Sequence, residues 1–298
     1  MPQLDPSAGL STDEAASVEA GLDALDTPSS DRREHALVRF LRAVVPPLVA
    51  LALLVVVWQL LWAAAFWDEN TLPAPLTVWD QIWGIVVDGK IFSIVWTSVY
   101  RAVLGFLVGV LIGTPLGLLV AKVRVVRAAI GPLLSGLQSL PSVAWVPAAV
   151  IWFGLNDAAI YFVVLAGSVP SIANGLVSGI DQIPPILPRV GQVMGAGKLS
   201  SARHILLPAA LPGFLAGLKQ GWAFSWRSLM AAELIALSPA LGFGLGAYLN
   251  QGSSFSDMPT VIAAIFLILL VGVGIELAVF RPVERAVLRA RGLTGSFR

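Results

Sequence analysis

The chain contains no cysteine, only two histidines and little charge, and each scarcity removes a class of function. Without cysteine there is no disulfide, thiol nucleophile or Cys-ligated zinc. His35 and His204 stand too far apart in sequence to suggest a metal site. Charged residues form 12% of the chain, against about 25% in a soluble domain. Hydrophobic residues form 57%, and the mean hydropathy is +0.82. That leaves too little polar surface to clothe a water-soluble globule of 298 residues. A net charge of +1 gives no electrostatic case for nucleic acid. The polar, acidic N-terminus lacks the apolar core of a cleavable signal peptide.

Residues 1–35 are a zone apart. They are rich in Ala, Ser, Asp and Glu and offer little apolar area to offset the entropy of ordering, so a disordered tail is expected, with at most a short helix over Thr12–Leu25. Beyond it, from 36 to 298, apolar runs recur. A bilayer core about 30 Å thick needs about 20 helical residues. Six segments meet that length: about 44–66, 94–119, 129–153, 158–179, 210–237 and 259–280. They are continuous rather than alternating, which predicts an all-α membrane domain and not a barrel.

Basic residues orient it. Arg32, Arg33, Arg39 and Arg42 precede the first span; Lys122, Arg124 and Arg127 follow the second; Arg189, Lys198 and Arg203 follow the fourth; Arg281, Arg285, Arg289, Arg291 and Arg298 follow the sixth. Of the 19 Lys and Arg, only Lys90, Arg101, Lys219 and Arg227 lie elsewhere. The opposite loops carry Asp68, Glu69, Asp80, Asp88, Asp157 and Asp257. The positive-inside rule then predicts both termini and the 180–209 loop in the cytoplasm, with Trp62, Trp67, Trp83 and Trp96 near the outer boundary.

Within the spans three patterns stand out. Gly105, Gly109, Gly113 and Gly117, spaced by four, put a small-residue stripe on one helix face, suited to close packing within the subunit or across a dimer. Pro115, Pro141, Pro147 and Pro170 are candidate helix interruptions. Charged residues are costly inside a bilayer and mark candidate functional positions. Arg101 and Glu233 fall at similar depths and form a candidate ion pair, as do Lys219 and Glu276. Arg227, beside Trp226 near mid-membrane, has two roles open to it: an anion attractor on a pathway, or a structural group bonded to Glu233 or to backbone carbonyls. Ser168, Ser171 and Asn174 are suited to interhelical hydrogen bonds or to substrate contact.

The 180–209 loop is polar between two apolar runs. Ile183-Pro184-Pro185 predicts a short helix toward Met194. Gly195 and Gly197 allow a turn, and a second short helix follows with Leu199, Ala202, Ile205 and Leu206 on one face. It is not a phosphate loop. Counting back from Gly197-Lys198, position 192 is Gln where Gly is needed, and position 199 is Leu where Ser or Thr is needed. This chain is therefore not expected to hydrolyse nucleotide.

Gly195, nine residues, then Ile205-Leu206-Leu207-Pro208 resembles the EAA motif of permease subunits of binding-protein-dependent ABC importers with the type I fold. The likeness continues through Pro212-Gly213, Trp226-Arg227 and Ala232-Glu233. Leu72-Pro73-Ala74-Pro75, Thr97-Ser98, Arg101 and Gly105-Phe106 are similar to its nitrate, sulfonate and taurine branch. It departs at the motif's head, where Arg189-Val190-Gly191 stands for Glu-Ala-Ala.

The resemblance implies a six-span permease in a bacterial cytoplasmic membrane, with two copies paired to a cytoplasmic ATPase dimer that holds ATP and magnesium. An extracytoplasmic binding protein would deliver the solute. Contact with the ATPase would fall to Arg189, Gly195, Ala196, Gly197, Lys198, Leu199, Ala202, Arg203, Ile205, Leu207 and Pro208. No cofactor is expected in this chain. The alternative from the residues themselves is a stand-alone secondary transporter using intramembrane Arg/Glu pairs, for which no inverted repeat is visible.

Overall fold

A computed structural model describes residues 36–238 and 241–290. The acidic tail, with the short helix considered over Thr12–Leu25, lies outside the described residues, as do the side chains of Lys198, Leu199 and Ala202. The chain divides into two compact units, residues 1–63 and 64–298. The first contains α1 (Ala36–Ala63), whose Leu48–Ala63 portion is apolar.

The second unit is helical throughout its regular structure: α2 (Pro75–Val87), α3 (Lys90–Lys122), α4 (Arg124–Ser139), α5 (Val146–Phe153), α6 (Asp157–Asp181), α7 (Ile186–Val193), α8 (Lys198–Ser201), α9 (Leu207–Ile235), α10 (Leu245–Ser254), α11 (Met258–Ile275) and α12 (Arg281–Ala290). A π turn over Ala202–Leu206 joins α8 to α9, and another over Glu276–Phe280 joins α11 to α12.

Among the described residues, three helical runs are both long and apolar enough to cross a bilayer: α3, α6 and the continuous run Met258–Arg289. The pair α4 and α5 makes a fourth if its 101° bend is counted within one span. The other two segments expected to span are helical as well. However, α1 offers a shorter apolar stretch, and α9 carries Lys219, Gln220, Arg227 and Glu233 along its 29 residues.

The third expected span is not one straight helix. Leu140 and Pro141 are extended, with ψ of 129° and 122°; Leu140 is so because a residue before proline is pushed out of the helical region. Pro115 and Pro170, by contrast, sit inside unbroken helices. The freed carbonyls there are tolerated as in other membrane helices.

The core is centred on α6, which lies between α3 and α9. Gly105, Gly109, Gly113 and Gly117 all face α6 from α3; a methyl group would collide with it at Gly105, Gly109 and Gly117 and would be tightly pressed at Gly113. A Cβ at Gly109 would come 2.5 Å from Ser168 Oγ, and one at Gly117 would come 2.8 Å from the Ala173 carbonyl. The seam between α6 and α9 is tighter still. A Cβ at Gly175 would lie 2.2 Å from Gly217 Cα, and one at Gly213 would lie 2.5 Å from Gly179 Cα. Two glycine seams thus let three backbones approach closely, and dispersion contacts follow from that approach.

Polar bonds add to the packing. Gln138 of α4 donates to Ser171 Oγ at 3.1 Å and accepts from Asn174 Nδ2 at 2.8 Å. Both α6 side chains therefore serve interhelical bonds. Ser168 faces Gly109 instead.

Candidate functional site

At one end of the bundle Arg101 and Glu233 meet, as their depths predict. Arg101 is 6% exposed and Glu233 3%. Arg101 Nη1 lies 3.3 Å from Glu233 Oε1, and its Nε and Nη2 lie 3.0 and 2.8 Å from Asp157 Oδ1 at the start of α6. The same guanidinium donates to the Leu241 carbonyl.

The other carboxylate oxygen, Glu233 Oε2, accepts from Ser98 Oγ at 2.6 Å and from the Gly246 amide at 3.0 Å. Ser98 Oγ accepts from the Leu245 amide at 2.8 Å. The first amides of α10 are therefore capped by side chains of α3 and α9, and a negative charge sits at a helix N-terminus where the dipole favours it. Gly244 makes this possible, because a Cβ there would fall 2.5 Å from Glu233 Oε2. A cavity of about 460 Å³ adjoins the cluster, lined by Arg101, Glu233, Gly242, Phe243, Asn250 and Gln251.

Along α9 the four polar groups part company. Lys219 pairs with Glu276 at 3.0 Å, again as expected, with Glu284 at 3.9 Å. Trp226 is buried, stacked on Trp222, with its Nε1 2.9 Å from where a Cβ at Gly272 would sit. It belongs to the core rather than to a pathway. Arg227 is exposed: its Nε donates to the Ala223 carbonyl at 3.1 Å, and its guanidinium lies 4.9 Å from the Phe224 ring centre. Glu233 is engaged by Arg101, and among the described residues no carboxylate pairs with Arg227.

The 186–207 segment lies at the other end of α6, about 37 Å from Asp157 by helical rise. α7 ends where Gly195 takes φ +78°. The Gly195 amide donates to the Gln192 carbonyl at 3.0 Å and the Ala196 amide to the Gly191 carbonyl at 2.9 Å, the paired bonds of a glycine C-cap. No heavy atom lies within 4 Å of a Cβ built on Gly195, so glycine is needed for backbone sign and not for space.

Gly191 is the reverse case. It is buried, and a Cβ there would fall 2.2 Å from Ile205 Cδ1. The departure from the motif at this position thus gives Ile205 its seat. Arg189, Arg203 and His204 are exposed, and so are Val193 at 89% and Met194 at 81%.

Pro208 cannot donate to the carbonyl four residues back, and the turn before it widens to the π form. Helical structure is nevertheless continuous from Lys198 to Ile235. The short helix after Gly195 is therefore joined without a break to the helix that carries Arg227 and Glu233. Arg127 and Asp181 close the neighbouring loop with a two-point contact at 2.8 and 2.5 Å.

Other residues that build the bundle also carry signals in the sequence. Gly213, Gly217 and Gly221 repeat every four residues like the α3 stripe, and on α6 Gly179 answers Gly213, Gly175 answers Gly217 and the Ile172 side chain answers Gly221. In the sequence Asp157 reads only as part of an acidic loop.

Comparison with known proteins places these features in a family. Residues 113–281 match the family described as binding-protein-dependent transport system inner membrane component. The taurine transport system permease protein TauC of Escherichia coli is 27% identical, over 79% of this chain and 86% of its own length. The nitrate import permease protein NrtB of a Synechocystis strain is also 27% identical, over 77% and 84%. Among solved structures, inward-facing MetNI, a methionine ABC transporter, has a chain that aligns with TM-score 0.53 and 19% identity, covering 66% of this chain and 95% of its own. That likeness supports the type I permease fold.

Proposed function

The chain belongs to the family of binding-protein-dependent transport system inner membrane components, and from that premise we propose that it is the permease subunit of an ATP-driven importer for a small oxyanion of the sulfonate, taurine or nitrate kind. Two copies pair with a dimer of cytoplasmic ATPase subunits in a bacterial inner membrane, and an extracytoplasmic binding protein delivers the solute. ATP and magnesium belong to the ATPase.

The observation that carries this reading is the unbroken helical run from Lys198 to Ile235, preceded by the positive-φ Gly195. A partner that grips the exposed end of α7 and the turn around Arg203 moves α9 with it. Closing and opening of an ATPase dimer then becomes tilting of the helix that lines the pathway. Arg189 offers that partner a cation where relatives of the motif offer a carboxylate, so the matching ATPase groove is expected to be acidic there.

The oxyanion class rests on Arg227. An arginine exposed on a helix inside a bilayer is costly against lipid, so its face lines water or a second copy. Its planar fork matches sulfonate or nitrate oxygens. The test is uptake of labelled taurine, alkanesulfonate and nitrate into vesicles holding the assembled transporter. Uptake should require internal ATP, and Arg227→Gln should lower it at least tenfold with assembly intact. Uptake driven by an ion gradient without ATP would instead identify a secondary transporter.

A further inference from the structure

The last described helix, α12, carries a row of arginines outside the candidate site. α12 begins where the apolar run ends: Met258–Phe280 spans about 34 Å by helical rise, slightly more than a hydrocarbon core of about 30 Å. Arg281 therefore stands at the hydrocarbon boundary, and Arg289 about 12 Å beyond it. Arg281, Arg285 and Arg289 recur every four residues and form one row, and all three are exposed. Among the described residues none of them has an ion-pair or hydrogen-bond partner.

The neighbouring row is taken. Glu276, Phe280, Glu284 and Leu288 line the cleft against α9, where Lys219 meets both carboxylates. Each arginine follows a member of that row by one residue, so the arginine row is turned about 100° away from α9. The acidic groups are thus drawn inward to Lys219, and three unpaired guanidiniums are left side by side at headgroup level.

We propose that this row binds anionic phospholipid headgroups of the cytoplasmic leaflet. The geometry favours lipid phosphate over a protein partner: the row starts at the hydrocarbon boundary on a helix continuous with a span, and guanidinium matches phosphate oxygens in paired bonds. The cytoplasmic side rests on the orientation used above for the permease. A held lipid would fix the depth of α11 and, through Glu276 and Glu284, the position of Lys219 on α9.

The test uses the full chain purified in neutral detergent. Native mass spectrometry reads retention of added phosphatidylglycerol against phosphatidylcholine. Each arginine near an anionic surface is worth about fivefold in partitioning, so the wild type should prefer phosphatidylglycerol at least tenfold. R281Q/R285Q/R289Q should bring the ratio near one, and R281K/R285K/R289K should keep most of it. If the triple glutamine variant misfolds, Arg285→Gln alone should still lower the ratio several-fold with unchanged thermal unfolding.

An unchanged ratio in a folded variant overturns the proposal. So does loss of ATPase copurification with the lipid ratio intact, which would make the row a protein-docking face. The orientation is checked separately. The chain has no cysteine, so Arg289→Cys should react with an impermeant maleimide only from the cytoplasmic side. Labelling from outside would overturn the orientation and leave the lipid ratio as its own result.

Discussion

The bundle around α6 and the 186–207 segment use glycine for opposite purposes. In the bundle, Gly175 and Gly217 are required because two backbones occupy the space a methyl group would need. In the segment, Gly195 has open space around it and is required because its φ is +78°. The first kind of glycine holds helices together, so its loss is felt as stability. The second sets the direction of the short helix that follows it, so under the proposed function its loss is felt as coupling. Stability and function therefore separate along the chain.

The comparison breaks most sharply at the bundle. Gly175→Leu forces α6 and α9 apart and should cost roughly 4 kcal/mol or more, leaving little folded protein by size-exclusion of the detergent-solubilised chain. Glu233→Ala comes next. It leaves Arg101 buried with only half its acidic partners and uncaps α10, and breaking a buried pair costs about 3–5 kcal/mol. A clear fall in the unfolding temperature should report it, whereas an unchanged one would mean that Asp157 alone satisfies Arg101.

Gly195→Ala should cost only about 1 kcal/mol of local strain. Thermal unfolding would stay nearly as in the wild type while ATP-dependent uptake falls. Equal losses in both would erase the distinction. The smallest effect is expected at Arg127→Gln. The Arg127–Asp181 contact is exposed, and such pairs contribute about 1 kcal/mol or less.

Much of this was legible in the sequence, for a physical reason. Membrane helices announce themselves by apolar length, and a four-residue glycine repeat announces a face. The same logic brought Arg101 to Glu233 and Lys219 to Glu276, because charges inside an apolar zone must find each other.

What escaped was whatever depends on where helices cross. Gly213, Gly217 and Gly221 carry the same repeat as α3, but nothing in α9 alone says which helix answers it. Asp157 joins Arg101 only because α6 starts beside α3. Capping of α10 by Ser98 and Glu233 needs residues from three elements, and the seat of Ile205 on Gly191 needs the turn at Gly195. The bend at Pro141 and the unbroken helices through Pro115 and Pro170 show the limit of proline as a signal. It removes a donor in every case, and packing decides whether the helix breaks.

The central claim is that the 186–207 segment is the place where an ATPase drives this helix bundle. A cysteine placed at Arg203 in this otherwise cysteine-free chain tests it most directly. Bifunctional thiol–amine cross-linking in native membranes should join Arg203→Cys to a nucleotide-hydrolysing subunit, and Gly195→Asp in the same background should abolish the product while the bundle keeps its unfolding temperature. No cross-link in a folded, transport-active protein, or a cross-link indifferent to Gly195→Asp, would contradict the claim.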